Sequence, residues 1–278
     1  MTATRTFATP HGTVRWDRFG LEEGRPLVLV HGTPFSSAIW SRVRPVLAAR
    51  TPVITLDLPG YGASDKPERV SLDVLGEAFA AFMDAIAGPD AIVAAHDFGG
   101  AAALRAHLLH GADYARLILM NPVAVGDWGS PFMRHVRAHE AAFAGLPAYA
   151  HRALFQAYVA TASARGFDAD TLETLTAPWI GAEGQAAFYR QIAQADARFT
   201  KEIEARLPEL RCGYDLLWSR DDAWLPAAHA ERLRALKAPD RYHEFSGAGH
   251  ALQLDAPEEV AAFILESLSR AQPEARAA

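Results

Sequence analysis

Near the middle of the chain lies the run Ala91-Ile92-Val93-Ala94-Ala95-His96-Asp97-Phe98-Gly99-Gly100. Its apolar first half predicts a short buried strand, and the alanine-rich residues that follow Gly99 predict a helix. Asp97 falls at the turn between the two elements. The small residues Ala95 and Gly99, two positions before and two after it, let the backbone turn sharply and lift the Asp97 side chain clear of the sheet. The sequence therefore predicts a carboxylate presented at a strand-to-helix corner.

Apolar runs of strand length recur on both sides of this corner and alternate with helical patterns. The alternation predicts a mostly parallel central sheet flanked by helices. The first predicted strand alternates like an edge strand. The predicted strands cover residues 13–19, 26–30, 52–56, 91–95, 116–120, 214–219 and 241–245. Polar and glycine-rich loops follow these strands and gather at one edge of the sheet, which is where open α/β folds bind ligands.

The alternation of strand and helix patterns ends after Pro122. Residues 126–207 carry helical patterns rich in alanine, aromatic residues and arginine and no convincing strand, and strand patterns resume beyond them. We therefore predict an α/β core made of residues 1–125 and 208–278, interrupted by an inserted helical cap made of residues 126–207. A closing helix is predicted at residues 257–269, and the tail from residue 272 is predicted to fray.

Length and composition describe an ordinary globular protein. The 278 residues are 50% hydrophobic and 22% charged, with a formal net charge of −6 at pH 7. The acidic balance and the lack of a long lysine–arginine run argue against nucleic-acid binding, and no stretch reaches the roughly 18 apolar residues of a membrane span. Cys212 is the single cysteine, so we expect a packed thiol in a reducing, cytoplasmic compartment. No histidine spacing matches a metal site, and we expect neither metal nor cofactor.

The carboxylate at the corner predicts nucleophilic chemistry. A carboxylic acid side chain has a reference pKa near ~3.9, so it is ionised at neutral pH without a base, and it can displace a leaving group from a saturated carbon to give an ester. Hydrolysis of that ester needs a base, a group that orients the base, and donors for the oxyanion. His250 after the last strand is the predicted base, and Asp221 and Asp222 after the preceding strand are candidates for the orienting group. The backbone amides of Thr33 and Phe98 are the predicted oxyanion donors.

Five motifs carry a family resemblance: His31-Gly32-Thr33-Pro34, Asp57-Leu58-Pro59-Gly60-Tyr61-Gly62-Ala63-Ser64-Asp65, the corner at Asp97, Arg220-Asp221-Asp222 and Gly249-His250. The chain resembles the α/β-hydrolases over about residues 25 to 265. Aspartate in place of the usual serine nucleophile resembles the branch that contains epoxide hydrolases, haloalkane dehalogenases and haloacetate dehalogenases. The resemblance implies the α/β-hydrolase fold with the order nucleophile, acid, histidine.

Within that branch, the motif spacing favours Asp222 over Asp221 as the acid. Some members with an aspartate nucleophile carry the acid after the sixth strand instead, and the corresponding residue here is Asn121. An amide cannot stabilise an imidazolium by charge. The later carboxylate is therefore the favoured partner of His250.

The resemblance leaves the leaving group open between halide and epoxide oxygen. Residues 31–40 resemble the haloalkane dehalogenases, which hold the departing halide with a tryptophan after the nucleophile and an asparagine in the earlier loop. This chain has Phe98 and Thr33 at those positions. A phenyl ring has no donor and a hydroxyl is a poor substitute, so Trp128 or Trp179 of the cap would have to support a halide.

Epoxide hydrolases assist the leaving oxygen with two tyrosines of the cap. Tyr189 resembles the second of these. Phe155 occupies the slot of the first, with Tyr158 three residues later and Tyr149 upstream. We favour a small, mostly apolar epoxide as substrate. The alternatives are haloalkane hydrolysis, a cofactor-free rearrangement or cyclisation in which Asp97 acts as a base, and small-molecule binding without turnover.

Overall fold

A computed structural model describes residues 5–270, which contain one eight-stranded sheet. The strand order across the sheet is β1-β2-β4-β3-β5-β6-β7-β8, with β1, β2 and β4 paired antiparallel and all other neighbours parallel. The strands are β1 Arg5–Thr9, β2 Gly12–Phe19, β3 Leu27–Val30, β4 Val53–Asp57, β5 Ile92–His96, β6 Arg116–Met120, β7 Gly213–Ser219 and β8 Arg241–Phe245. This architecture confirms the predicted α/β-hydrolase fold class.

Helices cover both faces of the sheet and fill the interval between β6 and β7. They are α1 Arg44–Ala48, α2 Leu72–Phe82, α3 Phe98–His110, α4 Pro131–Ala138, α5 Glu140–Ala144, α6 Ala148–Ala160, α7 Ala169–Thr176, α8 Ala182–Ala193, α9 Arg198–Glu204, α10 Ala228–Leu236, α11 Leu252–Asp255 and α12 Pro257–Arg270. Strands β3 to β5 are buried along their whole length. Burial on both faces explains why these strands are continuously apolar in the sequence.

The start of the described chain differs from the prediction. Strand β1 pairs with β2, with Arg5 opposite Trp16 and Thr9 opposite Gly12, so β2 is an interior strand and its prediction as an edge strand was wrong. The five residues of β1 are mostly exposed and carry little apolar signal. They are held as a strand by the hairpin to β2 and by Phe7, whose ring packs edge-to-face on Phe82 at 5.9 Å. The tail predicted to fray from residue 272 lies outside the described residues.

The sheet has its switch point at β3, which lies between β4 on one side and β5 on the other. Val30 pairs with Ala95, so the loops that follow β3 and β5 leave the sheet side by side. Ligands of open α/β folds bind at such a switch point, beyond the carboxyl ends of the strands. The register therefore brings Thr33 and Asp97 together.

Residues 126–207, called the cap here, contain helices and turns and no strand. Helix α8 is at the centre of the cap and packs against α4, α5 and α6. A cluster of rings fills the space among these helices, and Phe188 of α8 contacts the rings of Phe132, Phe155 and Trp179. The division of the chain into core and cap at these boundaries stays a prediction. Within residues 5–270, no helix is long and apolar enough to cross a membrane.

Candidate active site

Asp97 stands at the corner between β5 and α3 in a strained backbone conformation, with φ 52° and ψ −118°. Such a conformation is rare for a residue with a side chain. The corner is possible because Gly99 and Gly32 have no side chains that would collide with the backbone and Asp97 around it. A Cβ atom at Gly99 would lie 2.4 Å from the His31 carbonyl oxygen, and one at Gly32 would lie 2.3 Å from Asp97 Cβ. The glycine positions therefore let two backbone segments approach the nucleophile closely.

His250 is held between two carboxylates. Its Nδ1 lies 2.8 Å from Asp222 Oδ2, and its Nε2 lies 3.5 Å from Asp97 Oδ2. The other Asp222 oxygen accepts hydrogen bonds from the backbone amides of Trp224 and Leu225 at 2.7 and 2.9 Å. The three side chains thus form an aspartate–histidine–aspartate arrangement in which Asp222 is fixed by its own loop.

Of the two adjacent carboxylates, the structure brings Asp222 to His250. Asp221 turns the other way and accepts a hydrogen bond from the Gly247 amide at 2.6 Å. That bond ties the loop after β7 to the glycine-rich loop that carries His250. Asp221 therefore shapes the histidine loop from a distance and does not contact the imidazole.

The charges of this arrangement set the protonation of His250. Burial alone would lower its pKa, but the Asp222 charge and hydrogen bond, together with Asp97, raise the pKa of His250 to about 10. Burial would likewise raise the pKa of Asp222, and the His250 charge and two backbone donors outweigh it and lower that pKa. The resting site is therefore an imidazolium between two carboxylates.

The His250 main chain is fixed by donors that the sequence did not reveal. Asn121 Nδ2 donates to the His250 carbonyl at 3.0 Å while its Oδ1 accepts from the Ser219 amide, and His96 Nε2 bonds the same carbonyl at 2.9 Å. Burial and the neighbouring His250 charge lower the pKa of His96 to about 3, so His96 stays neutral. Asn121, at the position where some relatives carry the acid, thus orients the histidine backbone.

The predicted oxyanion donors lie beside the nucleophile. The Thr33 amide donates to Asp97 Oδ1 at 2.7 Å. Phe98 follows Asp97 directly as the first residue of α3, where backbone N–H groups point out of the helix and favour negative charge. This placement suits an oxyanion formed on the Asp97 side chain.

In sequence, Tyr189 resembles an epoxide hydrolase tyrosine, but Tyr158 is the cap tyrosine on which the Asp97 charge acts. Burial raises the pKa of Tyr158, the Asp97 charge raises it further, and a hydrogen bond with Ser130 opposes both. The Tyr158 ring stacks on Trp224 at 4.7 Å, and the Trp224 ring lies 4.7 Å from that of His250. Tyr158 therefore belongs to the surroundings of the nucleophile.

Tyr189 and Tyr149 lie in different surroundings from Tyr158. The Tyr189 hydroxyl bonds His151 Nδ1 at 2.9 Å, and His151 Nε2 bonds the Trp179 carbonyl, so Tyr189 is engaged in a hydrogen-bonded chain inside the cap. Burial raises the pKa of Tyr189 to about 12. Tyr149 is 80% exposed. The direction in which each tyrosine points depends on how α6 and α8 pack, which the residue pattern does not define.

The two cap tryptophans have their indole N–H groups engaged elsewhere. Trp128 Nε1 donates to Thr200 Oγ1 at 2.8 Å, and Trp179 Nε1 donates to the Pro34 carbonyl at 2.5 Å. The Trp128 ring does pack edge-to-face on Phe98 at 5.3 Å. The tryptophans therefore contribute apolar surface near the nucleophile, and their donors are committed to other groups.

Three further residues of the site were missed by sequence reasoning. Tyr61 donates its hydroxyl to Gln191 Oε1 at 2.7 Å, and Gln191 Nε2 donates to Thr33 Oγ1 at 2.9 Å. Trp224 packs against His250 and Tyr158 as described. Tyr61 lies inside a quoted motif and could have been found there, whereas Gln191 and Trp224 have no local signature.

The whole site is closed. Asp97 is 3% exposed and His250 is fully buried, and aromatic rings surround them. Within residues 5–270, no group of three histidine, cysteine, aspartate or glutamate side chains is placed to hold a metal ion. The arrangement has the parts for nucleophilic attack by Asp97 followed by base-assisted hydrolysis at a site that is buried from solvent.

Comparison with known proteins defines the class. Residues 27–263 match the sequence profile described as the alpha/beta hydrolase family, so the chain belongs to that family. A crystal structure of an alpha/beta hydrolase fold protein from Burkholderia ambifaria superposes with a TM-score of 0.90 at 46% identity, over 94% of this chain and 97% of that one. The haloalkane dehalogenase DbeA from Bradyrhizobium elkani superposes with a TM-score of 0.81 at 19% identity, over 98% and 99% of the two chains, a likeness of fold alone.

Curated relatives are more distant in sequence. The dihydrolipoyllysine-residue acetyltransferase component of the acetoin cleaving system of Pseudomonas putida is 29% identical over 89% of this chain, which spans 64% of that relative's length. A putative carbamate hydrolase, RutD, of Caulobacter vibrioides is 28% identical over 84% of this chain and 87% of the relative. These relatives differ from one another in their named activities, so the site itself must carry the argument about function.

Proposed function

We propose that the protein hydrolyses a small, mostly apolar epoxide through a covalent ester on Asp97. The observation that carries the proposal is the setting of that carboxylate. One Asp97 oxygen accepts the Thr33 amide at 2.7 Å, and the other faces His250 Nε2 at 3.5 Å. A carboxylate at the corner is a nucleophile for saturated carbon, and the histidine behind it is placed to direct water onto the resulting ester.

In the first step, an Asp97 oxygen bonds to a ring carbon while the bond from that carbon to the epoxide oxygen breaks. The departing alkoxide takes a proton from Tyr158, whose raised pKa keeps it protonated until then. We assign this role to Tyr158 in place of Tyr189, because the Asp97 charge acts on the Tyr158 hydroxyl, whereas the Tyr189 hydroxyl is bonded to His151 inside the cap. A positioned acid of this kind contributes roughly 10²–10⁴-fold to such a step.

In the second step, water attacks the carbonyl carbon of the Asp97 ester. His250 takes the proton of the water, and the amides of Thr33 and Phe98 hold the oxyanion. Collapse of this intermediate breaks the bond to the alkyl oxygen, which takes the second proton of the water and leaves as the diol, while the water oxygen stays in the Asp97 carboxylate. After ester formation and before this step, the His250 imidazolium loses its proton and the Tyr158 phenolate gains one, so His250 is neutral when it accepts the proton of the water.

Ester formation itself prepares the base. The resting His250 is protonated because two carboxylates outweigh the effect of burial and raise its pKa to about 10, and an imidazolium cannot accept a proton from water. Esterification removes the Asp97 charge, so the pKa of His250 falls when the base is needed. Asp222 remains ionised and keeps the imidazole in orientation.

This site offers a departing halide fewer hydrogen-bond donors than it offers a departing oxygen. The indole N–H groups of Trp128 and Trp179 are bonded to Thr200 and Pro34, and Phe98 offers none. The Tyr158 hydroxyl suits an oxygen leaving group that ends the step with a proton. This difference favours the epoxide over the haloalkane.

Isotope labelling tests the proposal. A single turnover of styrene oxide in water enriched in oxygen-18 is expected to place one heavy oxygen in the peptide that contains Asp97, because that peptide receives the water oxygen. Label in the diol with none in the peptide would refute the covalent ester. The same protein offered 1-bromobutane reports halide release, and bromide release without turnover of any apolar epoxide would show that the leaving group was assigned wrongly.

A further inference from the structure

Two buried side chains of the cap bond to the oxyanion loop: Trp179 donates to the Pro34 carbonyl, and Gln191 of α8 bonds to the Thr33 side chain. Gln191 is 2% exposed and lies among polar atoms of the core. Its Nε2 donates to Thr33 Oγ1 at 2.9 Å, and its Oε1 accepts from the Tyr61 hydroxyl at 2.7 Å. A buried amide with both ends satisfied orients its partners, because moving any one of them leaves a buried polar group unpaired.

Thr33 connects this amide to the nucleophile. The Thr33 side chain is bonded to the cap, and the Thr33 backbone amide is bonded to Asp97 Oδ1 at 2.7 Å. The residue is therefore fixed at both ends, by Gln191 above and by Asp97 below. A shift of about 1 Å in a group that positions reacting atoms costs about 10²-fold in rate.

We propose that Gln191 is a positioning residue that makes the oxyanion hole depend on closure of the cap. With the cap closed, Gln191 seats Thr33 so that its amide points at the Asp97 side chain. When α8 moves away, the Thr33 hydroxyl loses its bond to Gln191, and the Thr33 amide loses one of the contacts that orient it. Ester hydrolysis then proceeds only over substrate that the cap has enclosed. This inference rests on the proposed function and goes beyond it by naming how the same site is regulated.

Gln194, the residue directly after α8, provides a matched control. It also makes two hydrogen bonds from the cap to the core, donating to the Glu68 carbonyl at 2.6 Å and accepting from the Val70 amide at 2.9 Å. Gln194 therefore contributes to cap attachment as Gln191 does, but it touches neither Thr33 nor Tyr61. A purely structural role predicts the same effect for both alanine variants.

The kinetic test follows the two steps separately with styrene oxide. Gln191→Ala is expected to slow hydrolysis of the Asp97 ester by about 10- to 100-fold, so the adduct accumulates in single-turnover mass spectra, while Gln194→Ala hydrolyses it within about threefold of the unaltered protein. Equal slowing in both variants, or none in Gln191→Ala, would overturn the proposal.

A readout without substrate separates this inference from the proposed function. Hydrogen–deuterium exchange is expected to speed up in the peptide that covers residues 27–36 in Gln191→Ala and to stay unchanged there in Gln194→Ala. If no adduct forms even in His250→Gln, the proposed function fails, and the exchange result still decides whether Gln191 holds Thr33. Unchanged exchange at residues 27–36 in Gln191→Ala would refute the positioning role by itself.

Discussion

At the scale of single residues, the two carboxylates around His250 are held differently, and that difference assigns their roles. Asp222 receives His250 Nδ1 at 2.8 Å and two backbone amides, so all of its charge is matched by fixed donors. Asp97 receives the Thr33 amide on one oxygen and faces His250 at the longer distance of 3.5 Å with the other. In the proposed mechanism, the less tightly bound Asp97 oxygen is therefore the one that attacks, and the fully bound Asp222 carboxylate orients His250.

The raised pKa of His250 predicts a dependence of stability on pH. Because the pKa of about 10 in the folded protein exceeds the ordinary histidine value of 6.5, the stabilisation is complete below pH 6.5 and is lost as the pH rises towards 10. Urea unfolding is expected to show the unaltered protein losing a few kcal/mol over this window, since each tenfold change in proton affinity corresponds to roughly 1.4 kcal/mol. The loss should be absent in His250→Gln and retained in His243→Gln, an exposed control. Parallel pH curves for His250→Gln and the unaltered protein would contradict the prediction.

The assignment of the acid role to Tyr158 and not to Tyr189 predicts different kinetics for the two phenylalanine variants. Tyr158→Phe removes a buried hydroxyl that lies within the influence of the Asp97 charge and is expected to slow ester formation by about 10²-fold, with little change in ester hydrolysis. Tyr189→Phe removes a hydroxyl bonded to His151 and is expected to leave ester formation nearly unchanged. Rapid-quench measurement of the adduct with styrene oxide checks both, and a larger loss in Tyr189→Phe would reverse the assignment.

At the scale of elements, the strands that carry the site could be predicted because burial on both faces makes them continuously apolar. Strands β3 to β7 and the loops after them were accessible to sequence reasoning, and with them Asp97 and the carboxylates after β7. His250 was found in the glycine-rich loop that follows β8. Strand β1 was missed because its stability comes from pairing with β2 and not from its own pattern. Tyr158 and Gln191 could not be assigned, because their directions are set by the packing of α6 and α8.

The corner between β5 and α3 predicts a strict requirement for glycine. A methyl group at Gly99 would lie 2.4 Å from the His31 carbonyl oxygen and 2.8 Å from that of Val30, and neither backbone atom can move without disturbing β3. Gly99→Ala is therefore expected to lower the free energy of unfolding by about 1–3 kcal/mol or more and to displace Asp97. Thermal unfolding measures the first effect, and an unchanged melting temperature would show that β3 yields more easily than this geometry implies.

At the scale of the whole molecule, the closed site must open for substrate to reach Asp97, and the points where the chain passes between core and cap limit that opening. Glu204, at the end of α9, forms hydrogen bonds to the start of the cap and to the core. Its Oε2 accepts from the Gly126 amide at 3.0 Å where the cap begins, and its Oε1 accepts from Arg232 of the core helix α10. One buried carboxylate thus fastens the first residue of the cap to its last α-helix and to the core.

Glu204→Gln is expected to let the cap open more often, because the amide keeps one acceptor and replaces the other with a donor that faces existing donors. Arg232 is largely exposed, so we discount the ion pair and expect a loss of about 1 kcal/mol, which corresponds to about fivefold faster exchange. Hydrogen–deuterium exchange should speed up in peptides of α4 to α9 and stay unchanged in β3 to β6. The matched control is Glu209→Gln, since Glu209 pairs with Arg206 only three residues away and joins no cap residue to α10. Equal exchange of the cap in Glu204→Gln and Glu209→Gln would mean that the contacts of α8 alone keep the site closed.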